Sequence, residues 1–366
     1  MTDSAHTPAD PSRPEPWHTA WPVAGLESVN ACPVCQHPGS ALAHEGLVDN
    51  TFRCARGRWT LWRCQACGSG YLNPRPSIDT IHTAYEHYYT HHPAASGDGG
   101  SAHAAPLRRL RRSLANGYAR WRYGMADEPS SRWGVVAALL LPLRRSAVDG
   151  EYRHLPHRPS GRKGRLLDVG CGDGSFLALA QRCGWDVLGL EPDPKAAQLA
   201  QQRGLTVITS GLESLASQAD CFDVITLSHV IEHLHEPLQM LRACHRLLKP
   251  GGQLWIATPN VESLGHRLFG KHWRGLEAPR HLVLFSAHSL VLALKQAGFS
   301  ASQALAMPSP RRWLFERSWA MSQGRWPDDV LRLPAALRWR AFGADLRELF
   351  LRETPEFLTM SAQKPR

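Results

Sequence analysis

From Arg165 onward the chain alternates short apolar runs with longer stretches in which apolar residues recur at helical spacing. That alternation predicts an α/β fold with a doubly wound sheet, because each buried parallel strand needs a helix to return the chain. Strands are expected over residues 166–169, 187–190, 205–209, 222–227 and 253–257, and a sixth over 300–306. A helix over 286–297 ends at Gly298, the residue type that most easily takes the left-handed conformation past a helix end. Residues 308–354 are too many for an ordinary connection and carry helix-like runs near Trp313 and Ala344, so a helical insertion is expected there. The terminal 356–363 alternates apolar and polar positions, as a final strand would.

Upstream of Arg165 the pattern changes. Residues 1–27 are rich in proline, serine and small polar residues and predict disorder, with no basic-then-apolar secretory signal. Residues 28–76 hold Cys32-Pro-Val-Cys35 and Cys64-Gln-Ala-Cys67, with a strand-like run over 59–63 leading into the second pair. Each C-x-x-C forms a knuckle whose two sulfurs face one ion, so Cys32, Cys35, Cys64 and Cys67 predict a structural zinc ribbon. Two disulfides or four buried thiols are the alternatives; Cys54 is left outside the site. Residues 77–160 read as a helical connector, with an aromatic run over 81–89 that includes Tyr85 and a glycine-rich stretch over 91–105 expected to be mobile. Residues 161–366 carry the sheet.

Composition matters here through its distribution. The net charge is +10, and His103 to Arg165 alone holds 14 Lys and Arg against 4 Asp and Glu. The basic character is therefore local, which favours a surface that faces a partner. Leu107, Leu110 and Leu114 fall on one helical face with arginines around it, a pattern suited to peripheral contact of segment 107–145 with an anionic membrane. A solvated connector is the alternative. No nucleic-acid-binding motif accompanies the charge, and no apolar run is long enough to span a bilayer, so a cytoplasmic protein is expected.

The chemistry centres on Leu166-Leu-Asp-Val-Gly-Cys-Gly-Asp-Gly-Ser175, where an apolar run ends in closely spaced glycines and becomes a helix. Glycine permits backbone angles that a Cβ forbids and lets a ligand lie against the main chain. A dinucleotide loop would place its third glycine at 175, but Ser175 stands there and Gly174 comes one residue early. Glu191 ends the next apolar run at the distance from which an acid grips ribose hydroxyls. Asp168 and Asp173 would repel a pyrophosphate and suit a ligand with a cationic end. In order, this loop, Glu191-Pro-Asp193, the run 222–227, His229-Val-Ile-Glu-His-Leu234 and the stretch 248–259 resemble class I S-adenosylmethionine-dependent methyltransferases of the ubiquinone and sugar small-molecule type. The resemblance covers about 165–299 and implies a Rossmann-like sheet closed by an antiparallel last strand. It also implies that Gly170, Cys171, Gly172 and Gly174 contact the methionine part of the donor, Asp168 its ammonium group, Glu191 the ribose, and Pro192, Leu212 and Glu213 the adenine, with His229 beside the methionine.

For the acceptor, His281, His233 and His229 are the candidate bases, and Arg280 is a candidate for orienting an anionic acceptor. The resemblance implies a small-molecule acceptor; O-methylation of a saccharide or lipid-linked intermediate is the leading expectation. Sugar C-methylation is one alternative, and a non-catalytic scaffold whose ribbon and basic segment bind a partner is another. His229-Val-Ile-Glu-His233 also matches the H-x-x-E-H pattern of zinc metallopeptidases, a rival from a different enzyme class.

Overall fold

The computed structural model describes residues 15–85, 105–125, 127–157, 163–307, 310–329, 331–351 and 355–366. The glycine-rich stretch, most of the aromatic run after Tyr85, and residues 1–14 lie outside them.

The α/β part contains strands β6 (Arg165–Val169), β7 (Asp186–Leu190), β8 (Val207–Ile208), β9 (Phe222–Ser228), β10 (Leu248–Pro259), β12 (Ala301–Ala304) and β13 (Phe357–Gln363). They form one sheet in the order β12-β13-β10-β9-β6-β7-β8. The strands from β8 to β10 run parallel, while β13 lies antiparallel between β10 and β12. The chain winds outward from β6 through β7 to β8, then returns to add β9 on the other side of β6. That reversal opens a crevice at the carboxyl ends of β6 and β9, where sheets of this kind bind ligands.

Helices α4 (Ser175–Arg182), α5 (Pro194–Gln202), α6 (Pro237–Leu247) and α8 (Ala287–Gln296) cover the sheet, α7 (Leu264–Phe269) follows β10, and α9 (Arg311–Ser322) and α10 (Ala335–Leu351) lie between β12 and β13. Strand alternation divides β6 between two cores. Leu167 and Val169 join Leu241, Leu247 and Leu290, while Leu166 joins Leu177, Ala197 and Tyr152 on the opposite face. The third expected strand contracts to β8 because the chain is still leaving α5, with Leu205 N–H bonded to Ala200 O.

The cysteine-rich part has β1 (Leu26–Glu27), β2 (Ser40–Leu47), β3 (Trp59–Cys64), β4 (Gly70–Leu72) and β5 (Arg75–Pro76). Its sheet runs β11-β4-β3-β2, and β11 (Val283–Leu284) is supplied from beyond β10. Trp59, Leu61 and Tyr71 share one apolar cluster with the core under α6 and α8. Residues 15–27, expected to be disordered, are folded instead. Buried Trp21 packs edge-on against Trp59 at 5.4 Å, and its indole N–H donates to Gly25 O at 3.2 Å. One aromatic anchor outweighs the polar composition of its neighbours.

Helices α1 (Ala105–Tyr123), α2 (Gly134–Leu140) and α3 (Pro142–Glu151) build the basic segment. A Cβ at Gly134 would lie 2.1 Å from Leu114 O, so glycine is what allows the backbones of α1 and α2 to approach. No helix among the described residues is long and apolar enough to cross a membrane.

Candidate active site

The loop after β6 holds Gly170, Gly172 and Gly174 at φ of 69°, 56° and 76°, angles that a side chain resists. The N–H groups of Gly170 and Cys171 donate to Leu190 O at 2.8 and 3.1 Å, fastening the loop over the end of β7. A Cβ at Gly170 would meet Val230 Cγ2 at 2.6 Å, whereas one at Gly172 would meet nothing within 4 Å. The loop is thus packed beneath the segment after β9 and open at Gly172. Buried Glu191 accepts from Gly172 N–H at 2.8 Å and Asp193 N–H at 3.0 Å, one bond to each carboxylate oxygen. Burial raises its pKa against those amide bonds. Each oxygen keeps one lone pair for a further donor.

The two acids of the loop are not free charges. Arg153 Nη1 donates to Asp168 Oδ1 and, at 3.1 Å, to Thr226 Oγ1, while that hydroxyl donates to the same Oδ1 at 2.6 Å. Asp168 Oδ2 is buried without a partner among the described residues. Burial raises the Asp168 pKa even though Arg153 opposes it. Arg153 is held over Phe176 at 3.8 Å and beside Trp255 at 5.4 Å. Asp173 is paired with Arg203 at 2.9 Å. The cation expected from a ligand at Asp168 is met at Oδ1 by the chain's own guanidinium, and only Oδ2 stays open. Cys171 is buried, Pro192 is exposed beside Glu191, Leu212 is buried, and exposed Glu213 accepts from Ser210 Oγ and Gly211 N–H, both at 2.9 Å.

Across the crevice, residues 229–233 do not form the α-helix that the peptidase pattern requires. Ile231–His233 is a 3-10 turn and His229 has a φ of 54°, so the two histidines do not share a helical face. His229 Nδ1 instead donates to Glu232 Oε1 at 3.2 Å, its ring lies edge-on to Phe357 at 4.7 Å, and its side chain is 39% exposed. Burial alone would raise the pKa of Glu232, but the hydrogen bond from His229 and the neighbouring imidazoles hold it down to about 2. His233 Nδ1 contacts Arg280 O at 3.1 Å and Tyr85 Oη at 3.0 Å. His281 is buried, with Nδ1 donating to Gly275 O at 2.8 Å, and burial lowers its pKa to about 4.

Arg280 cannot orient an acceptor. Its fully buried guanidinium donates to both oxygens of Asp49, to Ala84 O at 2.7 Å and to Glu277 Oε1 at 3.3 Å, and it stacks on Phe52 at 4.4 Å. It is a bolt between the cysteine-rich part and the sheet. Arg153, Thr226, Asp49 and Glu277 were not read from the sequence. Thr226 alone carried a signal, as the one hydroxyl within the run 222–227.

In the ribbon, Cys32 and Cys67 sulfurs lie 3.6 Å apart and those of Cys35 and Cys64 3.5 Å apart, and all four lie within 4.8 Å of one another. Disulfide sulfurs would lie at about 2.05 Å, whereas four thiolates around zinc lie roughly 3.8 Å apart. All four cysteines are free. Gln36 N–H and Gly68 N–H donate back to Cys32 O and Cys64 O at 2.9 and 3.1 Å, closing the two knuckles. Cys54 sits apart, against Asp49.

Residues 144–304 match the sequence profile of a methyltransferase domain. Over these residues, somewhat less than half of the chain, the sequence is similar to methyltransferase domains. The match begins within α3 and so takes in Arg153. A ubiquinone biosynthesis O-methyltransferase of Cereibacter sphaeroides (strain ATCC 17025 / ATH 2.4.3) is 39% identical over 117 residues, 30% of this chain and 47% of that protein. The mitochondrial ubiquinone biosynthesis O-methyltransferase of Rattus norvegicus is 33% identical over 137 residues, 34% of this chain and 39% of that protein. The chain therefore spans less than half the length of these relatives. A solved SAM-dependent methyltransferase from Archaeoglobus fulgidus overlaps 64% of this chain and 95% of its own, at 20% identity and a TM-score of 0.41.

Proposed function

We propose that the protein is an S-adenosylmethionine-dependent methyltransferase that acts on a hydroxyl of a small molecule, a saccharide or a lipid-linked intermediate. The observation that carries this reading is Glu191, buried at the end of β7 with one free lone pair on each oxygen, directly beside the open face of Gly172. Two vicinal hydroxyls of a ribose match such a carboxylate. Gly170, Gly172 and Gly174 would hold the methionine part, the orphan Oδ2 of Asp168 would accept from its ammonium group, and Arg153 lies close enough to that carboxylate to serve the donor's own carboxylate. Leu212 would border the adenine. The donor supplies an electrophilic methyl on a cationic sulfur, so what remains for the protein is to align the acceptor and take its proton. Of the three candidate histidines, His229 supports the base role best. Its side chain is 39% exposed, and its Nδ1–H bond to Glu232 leaves Nε2 as the basic nitrogen.

Cys32, Cys35, Cys64 and Cys67 would hold a zinc ion that closes the ribbon; four thiolates leave no position for a substrate. Helices α1 to α3 support the membrane-facing reading, because Trp121 and Leu139 line one shallow hollow together with Arg122 and Arg145.

Calorimetric titration with S-adenosylmethionine tests the donor site. Saturable one-to-one binding is expected, at least about tenfold weaker in Glu191→Ala, since charge-assisted bonds to two hydroxyls are lost. A folded wild-type protein that binds no donor would leave the scaffold reading standing.

A further inference from the structure

The glycine loop after β6 is gripped by the end of a single helix. Arg203, the residue that closes α5, donates through Nη1 to Asp173 O at 2.9 Å and to Ser175 Oγ at 2.8 Å, and through Nη2 to Asp173 Oδ2 at 2.9 Å. The other carboxylate oxygen, Oδ1, accepts from Ser175 N–H at 3.0 Å and from Ser175 Oγ at 2.7 Å. Burial alone would raise the pKa of Asp173, but the bonds from Ser175 and the charge of Arg203 hold it below the ordinary carboxylate value. Asp173 thereby braces the loop through both of its oxygens.

Backbone packing closes the same contact. A Cβ at Gly174 would lie 2.5 Å from Leu205 Cδ1 and 2.8 Å from Ala200 Cβ, so glycine is what lets the loop settle onto the last turn of α5. The buried residues of that helix are Ala196, Ala197 and Ala200, small enough to allow the approach. At its other end α5 starts from Asp193, whose side chain caps Lys195 N–H at 2.9 Å and whose own N–H donates to Glu191 Oε1 at 3.0 Å. Nine helical residues, about 13 Å, thus separate the acid assigned to the ribose from the clamp on the glycine loop. One rigid element spans both halves of the donor site.

We propose that Arg203 is a positioning residue for the donor: without touching it, the guanidinium fixes residues 173–175 and with them the open face of Gly172, against which the amino-acid end of the donor lies. This role rests on the donor site proposed above. Gly170 is packed beneath Val230, and Glu191 holds Gly172 N–H, so Arg203 adds a third fixed point to the loop. A loop with three glycines at positive φ has little stiffness of its own. Binding that must first order such a loop loses affinity to the ordering, and bonds from a neighbouring helix remove that loss. The effect falls on the amino-acid end, because the ribose acid is anchored at the opposite end of α5.

The test is a calorimetric titration with two neutral thioethers that differ in the amino-acid chain, S-adenosylhomocysteine and methylthioadenosine. In Arg203→Gln, S-adenosylhomocysteine is expected to bind at least about fivefold more weakly, while the affinity for methylthioadenosine changes by less than about twofold. Asp173→Asn should give the same pattern, and the double variant should lose no more than the larger single loss, because the two groups act as one unit. Should one single variant not fold, the other carries the comparison. Equal losses for both ligands, or no loss for either, overturn the proposal. Amide hydrogen exchange without ligand reads the clamp directly. Gly174 N–H and Ser175 N–H, which donate to Cys171 O and Asp173 Oδ1, should exchange at least about threefold faster in Arg203→Gln, and unchanged exchange also overturns it. A folded wild type that binds neither ligand removes the methyl-transfer reading and this role with it, whereas wild-type binding with unchanged variants removes the role of Arg203 alone.

Discussion

The guanidinium of Arg280 has no solvent-facing edge, and its partners Asp49 and Glu277 are buried with it. Removing one member of such a group leaves the others as uncompensated charges in a low-dielectric interior, at a cost of about 3–5 kcal/mol. Arg280→Met is therefore expected to lose stability of that order in urea denaturation; a variant as stable as the wild type with a raised acceptor KM would restore the acceptor role. His281 makes a pH-dependent prediction. Its folded pKa, about 4, lies below the ordinary 6.5, so between those values the unfolded chain binds more protons than the folded one. Stability then rises with pH across that window, by on the order of 3 kcal/mol from this group, and is lost as pH falls through it. His281→Gln should flatten the slope of unfolding free energy between pH 4 and 6.5; an unchanged slope would show that the imidazole is not held neutral. At this scale the sequence was legible where backbone geometry dictates residue type. The glycines of the loop after β6 could be read because its positive backbone angles admit few other residues. Arg153 could not, being one arginine among many in the basic segment, singled out only when α3 carries it onto Asp168.

Strand β11 changes what the ribbon is. Only two residues long, it pairs with β4, and Ser286, just past it, both caps α8 and donates to Cys67 O at 3.1 Å. The second cysteine knuckle is thereby joined to the start of a helix that packs on the main sheet. Knuckle spacing announced four clustered sulfurs, yet it says nothing about a partner strand more than 200 residues away, because two residues leave no periodic trace. That pairing carries a prediction. Chelating the zinc proposed for the four cysteines with a strong thiolate-competing agent, or Cys32→Ser, should lower the melting temperature of the whole protein by at least about 5 °C in a single transition. Two resolved transitions, with the donor-binding part unmoved, would show that the ribbon folds as an independent unit.

For the molecule as a whole, the apolar side chains left outside are concentrated in one region. Trp133, Leu139 and Leu140 are 62%, 69% and 74% exposed, and Leu107 and Leu110 on α1 are exposed beside Arg109, Arg111 and Arg112. Large apolar residues at a monomer surface cost solvation unless something covers them, and a cationic rim selects what that is. An anionic bilayer supplies both terms, a hydrocarbon boundary for the leucines and tryptophans and negative headgroups for the arginines. A lipid-linked acceptor would then be met at the surface that holds it. Co-sedimentation with phosphatidylglycerol vesicles should show binding that weakens with salt, while neutral phosphatidylcholine vesicles bind poorly. Replacing Arg109, Arg111 and Arg112 with glutamine should reduce partitioning at least about tenfold, at roughly 1 kcal/mol per arginine near the headgroups. Leu139→Ser with Leu140→Ser should lower affinity while leaving the salt dependence in place. If low-salt vesicles of either composition leave the protein in the supernatant, the bilayer is not the occupant of this face.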